Sequence, residues 1–97
     1  MVENKEIIYI YRKYFRSVYV YADGSDKICR ESLHSIYESL NNKFFVKVKK
    51  YIISIEHIKK VRIKEITLSN GVLLKLSKKN FDIVRWAVHC YYRDRIH

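Results

Sequence analysis

Two dipeptides constrain this chain more than anything else in it: Asp23-Gly24 and Asn70-Gly71 hold the only two glycines of a sequence without proline. Both pairs tolerate positive φ, so between extended apolar segments each marks a tight β-hairpin, with a type I′ turn as the expected geometry. Around the first, residues 17–21 are rich in β-branched and aromatic side chains, and residues 27–30 resume the extended pattern. Around the second, residues 66–68 and 72–76 flank the turn. Ile7-Ile8-Tyr9-Ile10-Tyr11 is a further strand candidate, after which Arg12-Lys13-Tyr14-Phe15-Arg16 reads as a basic aromatic loop. In residues 44–50 the alternation puts Phe44, Val46 and Val48 on one face and Phe45, Lys47 and Lys49 on the other. That predicts a strand with one solvated, positive side.

The hydrophobic period changes to that of a helix in two places. Leu33, Ile36, Tyr37 and Leu40 form a short amphipathic stripe with Ser32 as its N-cap, ending at Asn41-Asn42. From Ser77 onward, Phe81, Val84, Val88 and Tyr91, with Ile83 and Ala87 beside them, form a second stripe running toward the C-terminus. The expected fold is therefore mainly β, a sheet-rich α+β domain with small antiparallel sheets, a short helix after the first hairpin and a C-terminal helix. No linker, repeat or low-complexity tract divides the 97 residues, so residues 1–97 are expected to be one domain.

Charge narrows the function. Lys and Arg number 20 against 10 Asp and Glu, a formal net charge of +10. Self-repulsion on that scale is best tolerated beside a polyanion, a nucleic acid or an anionic membrane surface. No apolar run approaches the roughly 20 residues needed to span a bilayer, and the N-terminus lacks the apolar core of a signal peptide. A cytoplasmic protein without membrane contact is expected. The acids are scattered, no nucleophile motif, phosphate loop or dinucleotide fingerprint occurs, and the four histidines and two cysteines form no close ligand pair. No enzyme activity, cofactor or metal is expected.

The basic residues recur at three places: Arg12, Lys13 and Arg16; Lys47, Lys49 and Lys50; and the corner Ser77, Lys78 and Lys79. At the last, two lysines follow a helix N-cap, where the macrodipole favours Asp or Glu. Helix N-terminal amides with lysines beside them make a ready anion site, and a DNA phosphate or base edge is a physical reason to tolerate the cost. Lys59, Lys60, Arg62 and Lys64 form a fourth run, read as a solvated face. If the fold brings the three corners to one side, they form an electropositive surface suited to phosphates.

Taken in order, Ile8-Tyr9-Ile10, the Asp23-Gly24 hairpin, Ser32-Leu33 with Leu40, the run from Phe44 through Lys50 to Tyr51-Ile52-Ile53-Ser54, His57-Ile58, Leu68-Ser69-Asn70-Gly71 and Leu76-Ser77-Lys78-Lys79 resemble the LytTR family. The match runs from about residue 7 to residue 88. The resemblance implies a fold of small packed sheets with short helices that binds DNA through inter-strand loops entering successive major grooves, in bacterial transcription regulators. It implies base or phosphate contacts from the first loop near Arg16, from Lys49 before Tyr51 and from Lys79 after Ser77. The implied partner is duplex DNA, beside either an upstream receiver domain of a response regulator or a second copy of the chain on repeated DNA sites. The chain departs from the family pattern at Val46 and Val48, where many members carry a basic residue and a histidine, and at Ser54, where many carry Asn. The usual opening hairpin before Ile7 is also missing, which suits either an abbreviated stand-alone member or a fragment of a longer regulator.

Two alternatives come from other classes. Nine tyrosines beside basic residues, among them Tyr9, Tyr11, Tyr14, Tyr19 and Tyr21, could stack the bases of RNA or single-stranded DNA. The positive surface could instead dock an acidic protein, making the chain an interaction module acting on another regulator.

Overall fold

The computed structural model describes residues 6–95. Five strands form one antiparallel sheet: β1 (Ile7–Lys13), β2 (Arg16–Tyr21), β3 (Asp26–Cys29), β4 (Phe45–Val48) and β5 (Tyr51–Ser54), in the order β3-β2-β1-β5-β4. After a single 3-10 turn (Ile55–His57), β6 (Ile58–Arg62), β7 (Glu65–Leu68) and β8 (Leu73–Lys75) form a second, three-stranded sheet. Helix α1 (Leu33–Ser39) follows β3, and α2 (Lys78–Arg95) follows β8. The mainly β architecture with a short helix after the first glycine hairpin and a C-terminal helix is what the sequence patterns predict.

Alternation along the strands sends apolar side chains to both faces of the larger sheet. One face, through Val46, Val48 and Ile53, meets Ile66, Leu68 and Leu74 of the second sheet and Phe81, Val84 and Tyr91 of α2. The other face, through Ile10 and Ile52, is covered by Leu33 and Ile36 of α1. A register shift between Ile7 and Tyr9 turns Ile8 and Tyr9 to the same core, the effect of a β-bulge. Both helices carry the predicted caps. Ser32 Oγ accepts from Ser35 N at 3.1 Å, and Ser77 Oγ accepts from Asn80 N at 3.2 Å while its carbonyl accepts from Phe81 N at 2.8 Å.

Three expectations need correction. The glycine hairpins do not use type I′ turns, which require positive φ at both central residues. Within these turns only Gly24 (φ 89°) and Gly71 (φ 90°) are positive, while Asp23 and Asn70 are not. Gly24 N donates to Tyr21 O and Tyr21 N to Ser25 O, and the same pair of bonds joins Gly71 to Leu68 and Leu68 to Val72. These are three-residue loops closed by a left-handed glycine, the G1-bulge hairpin. Asp23 and Asn70 instead accept from the backbone two residues on, at 2.8 and 3.2 Å, the Asx-turn bond.

Arg12 to Arg16 is not a loop: Lys13 pairs with Arg16, leaving only Tyr14-Phe15 as the turn. The face of β4 expected to be solvated is not, because Phe45 packs against the α1 core and Lys47 is half-buried. Alternation within β4 marks its two faces but carries no information about the helix that covers one of them.

Candidate nucleic-acid interface

Antiparallel pairing decides where the basic residues go. The last β1 residue paired with β5 is Tyr11, opposite Tyr51, so the end of β1 lies beside the start of β5. The β4–β5 turn is Lys49-Lys50, closed by the Val48–Tyr51 pair. Arg12 N donates to Lys50 O at 3.0 Å, which fastens that turn to the β1–β2 hairpin. Two of the three basic corners therefore meet at one end of the five-stranded sheet. Lys13, Arg16, Lys49 and Lys50 are all exposed there. None of the four has an ion pair or side-chain hydrogen bond among the described residues.

Arg12 differs from its neighbours. Its Nη1 donates to Ser17 Oγ at 3.0 Å and to Glu31 O at 2.9 Å, and Ser17 Oγ itself donates to Glu31 O at 2.6 Å. Ser17 is fully buried, so this cluster satisfies a hydroxyl that would otherwise cost about 1–3 kcal/mol. Arg12 thus clamps the chain after β3 onto the sheet, and its positive charge stands beside the corner while part of its donor fork is used for folding.

The third corner is built by the second sheet. Leu76 N donates to Lys64 O at 2.8 Å, joining the start of α2 to the β6–β7 turn Ile63-Lys64. Lys78 reaches forward to Asp82, with Nζ–Oδ2 at 3.4 Å, one turn along the helix. That pair offsets part of the unfavourable charge at the helix start. Lys79 is exposed with no ion pair or side-chain hydrogen bond among the described residues. Lys47 lies elsewhere: it lines a largely apolar groove of about 590 Å³ between Phe44, Phe45, Val46 and the Ala87–Cys90 side of α2.

A family model described as the LytTr DNA-binding domain matches residues 1–88. The chain belongs to that family. A solved structure described as the LytTr DNA-binding domain of a methyl-accepting/DNA response regulator from Bacillus cereus shares the fold, with a TM-score of 0.76 and 16% identity. The alignment covers 86% of this chain and 81% of that one. No curated protein matches the chain.

In this LytTr domain the tyrosines thought available for stacking are mostly built into the core. Tyr9 and Tyr21 are buried, Tyr11 stacks on Tyr9 with ring centroids 5.7 Å apart, and Tyr19 stacks on Tyr21 at 6.1 Å. Burial, with Tyr11 and Tyr51 nearby, raises the Tyr9 hydroxyl pKa; burial, with Cys29, Glu31 and Tyr21 nearby, pushes Tyr19 to about 12. Both stay neutral at any ordinary pH, as packed phenols should. Of the five, only Tyr14 is exposed. His57 is likewise occupied: Nδ1 lies 2.6 Å from Ser69 Oγ, and Nε2 contacts Glu6.

Two features of the site are silent in the sequence, the Ile63-Lys64 turn and the role of Arg12. The first carries Lys64 in positive φ (60°) without a glycine to announce it, and the second depends on a carbonyl 19 residues away. Among the described residues, no group of three or more His, Cys, Asp or Glu could hold a metal ion, and no helix is long and apolar enough to cross a membrane.

Proposed function

We propose that this chain binds duplex DNA in a sequence-specific way, as the DNA-reading part of a bacterial transcription regulator in the cytoplasm. The β1–β2 and β4–β5 turns and the start of α2 enter the major groove and its phosphate walls. Lys13, Arg16, Lys49, Lys50 and Lys79 make the contacts, with Arg12, Ser77 and Lys78 holding the corners in shape and Lys47 contributing at longer range. Membership of the LytTr family supports DNA as the partner. The observation that carries the reading is the meeting of two hairpin turns and four exposed cations at one sheet end, since counterion release makes such a cluster favour a phosphate backbone.

The domain performs no chemistry on this account and needs no metal or cofactor. It acts beside an upstream receiver domain or a second copy on repeated DNA sites. Burial of Tyr9 and Tyr21 removes two of the five tyrosines on which an RNA or single-strand reading would stack bases. A basic docking module for an acidic regulator would use the same charges but would not distinguish duplex sequences. The test measures affinity for a labelled duplex and for each of its separated strands at several salt concentrations, with and without chelator. The expected result is a preference for duplex, lost steeply as salt rises and unchanged by chelator; a flat salt response or a preference for single strands would overturn it.

A further inference from the structure

The three most exposed large apolar side chains among the described residues are Phe15 (87%), Tyr14 (86%) and Ile63 (85%). All three lie in two-residue hairpin turns, Tyr14-Phe15 between Lys13 and Arg16, and Ile63-Lys64 between Arg62 and Glu65. Other exposed aromatics have partners: Trp86 stacks on His89 at 5.6 Å, and Tyr92 packs edge-on against Tyr91 at 5.1 Å. Tyr14 and Phe15 make no ring contact among the described residues.

Local preference does not explain this pair. Such turns favour Gly, Asn and Asp, yet Tyr14 holds φ at 56°, where a Cβ carries a steric cost that glycine avoids. The turn also stands clear of the sheet. Pairing of β1 with β5 stops at Tyr11, and pairing of β2 with β3 stops at Ser17, so the Lys13–Arg16 pair has no strand on either side. The major groove admits a two-stranded β-ribbon, and a hairpin tip of this width fits within it.

We propose that Tyr14 and Phe15 are specificity-determining residues that press against thymine methyl groups in the groove while Lys13, Arg16, Lys49 and Lys50 hold the phosphates. The inference rests on the duplex-DNA reading above and adds what that reading lacks. Cations on phosphates position a protein but carry no base information, whereas apolar contact with a thymine methyl separates thymine from the other bases. The strain at Tyr14 is then retained because an aromatic ring is needed at the tip, where glycine would fold more easily.

The test uses the whole chain and a duplex selected by it from a random pool, made once with thymine and once with deoxyuridine, which lacks only the methyl. The wild-type chain should lose about fourfold in affinity for each contacted methyl removed. Phe15→Ala and Tyr14→Gly should each bind the thymine duplex more weakly, lose the part of the thymine preference that their own side chain carries, and keep the same dependence on salt. Neither should lower the melting temperature, and Tyr14→Gly should raise it because glycine accepts φ near 56° without strain. Salt-sensitive wild-type binding with no thymine preference, or variants whose preference is as large as the wild type's, would sink the inference and leave the duplex-DNA reading standing. A wild-type chain that binds no duplex would overturn that reading, and this inference with it.

Discussion

The sheet-end corner and the helix-start corner carry similar charges but are built differently, and the difference separates cations that shape the site from cations that are free to bind. At the sheet end the positions are set by ladder pairing, and one cation, Arg12, is tied to Ser17 and Glu31. At the helix start they are set by the Ser77 cap, and one cation, Lys78, is tied to Asp82. The remaining cations, Lys13, Arg16, Lys49 and Lys50 on one side and Lys79 on the other, are exposed. Counting lysines and arginines along the sequence gives all of them equal weight. Their partners do not.

The tied residues should show the largest effects on folding. Arg12→Ala removes a charged donor from a buried hydroxyl and a backbone carbonyl, and should cost about 1–3 kcal/mol of stability, read from urea unfolding. Lys13→Ala, one residue away and exposed, should leave the unfolding free energy unchanged within about 0.5 kcal/mol. Equal midpoints for the two variants would mean that the Arg12 clamp contributes nothing.

A second contrast lies within the helix corner. Lys79→Ala should weaken binding to a selected duplex by about 1–3 kcal/mol if the lysine reaches a base edge, with a smaller effect on scrambled DNA, and by a similar amount on both if it meets only phosphate. Lys78→Ala should weaken binding less, because Asp82 already compensates its charge. Affinities measured side by side check the order, and a larger effect from Lys78→Ala would reverse the assignment.

The smallest expected effect belongs to the cap beneath both lysines. Ser77→Ala should lower stability by about 1 kcal/mol through removal of the bond to Asn80 N, measured by thermal melting. Binding by Lys79 should suffer only as far as the helix start frays.

The same contrasts separate what is legible in the sequence from what is not. The glycine hairpins, the two helices and their caps are legible because glycine at a turn and serine before an apolar stripe act through local backbone chemistry. The turn type is not, since Asp23 and Asn70 use their side chains for Asx bonds and leave positive φ to the glycine. Turns without glycine stay hidden: Tyr14-Phe15 reads as part of a loop, and Ile63-Lys64 goes unmarked. β5 and β6 do not stand out by their own periodicity, because Ile52 and Ile53 are buried on opposite faces and β6 is mostly charged. Three basic corners can be counted along the chain, but the meeting of two of them follows only once strand order sets β1 beside β5. The role of Phe45, expected on a solvated face, is decided by α1, an element separate from its own strand.

The claim that the free cations at the sheet end hold DNA phosphates is tested most directly by the salt dependence of duplex binding for the wild-type chain and for the double variant Lys49→Ala, Lys50→Ala. Each lysine–phosphate interaction removed should make the slope of log K against log salt shallower by about 0.9, so a change of about 1.8 is expected with folding intact. A double variant with weaker or equal affinity but the wild-type slope would contradict it.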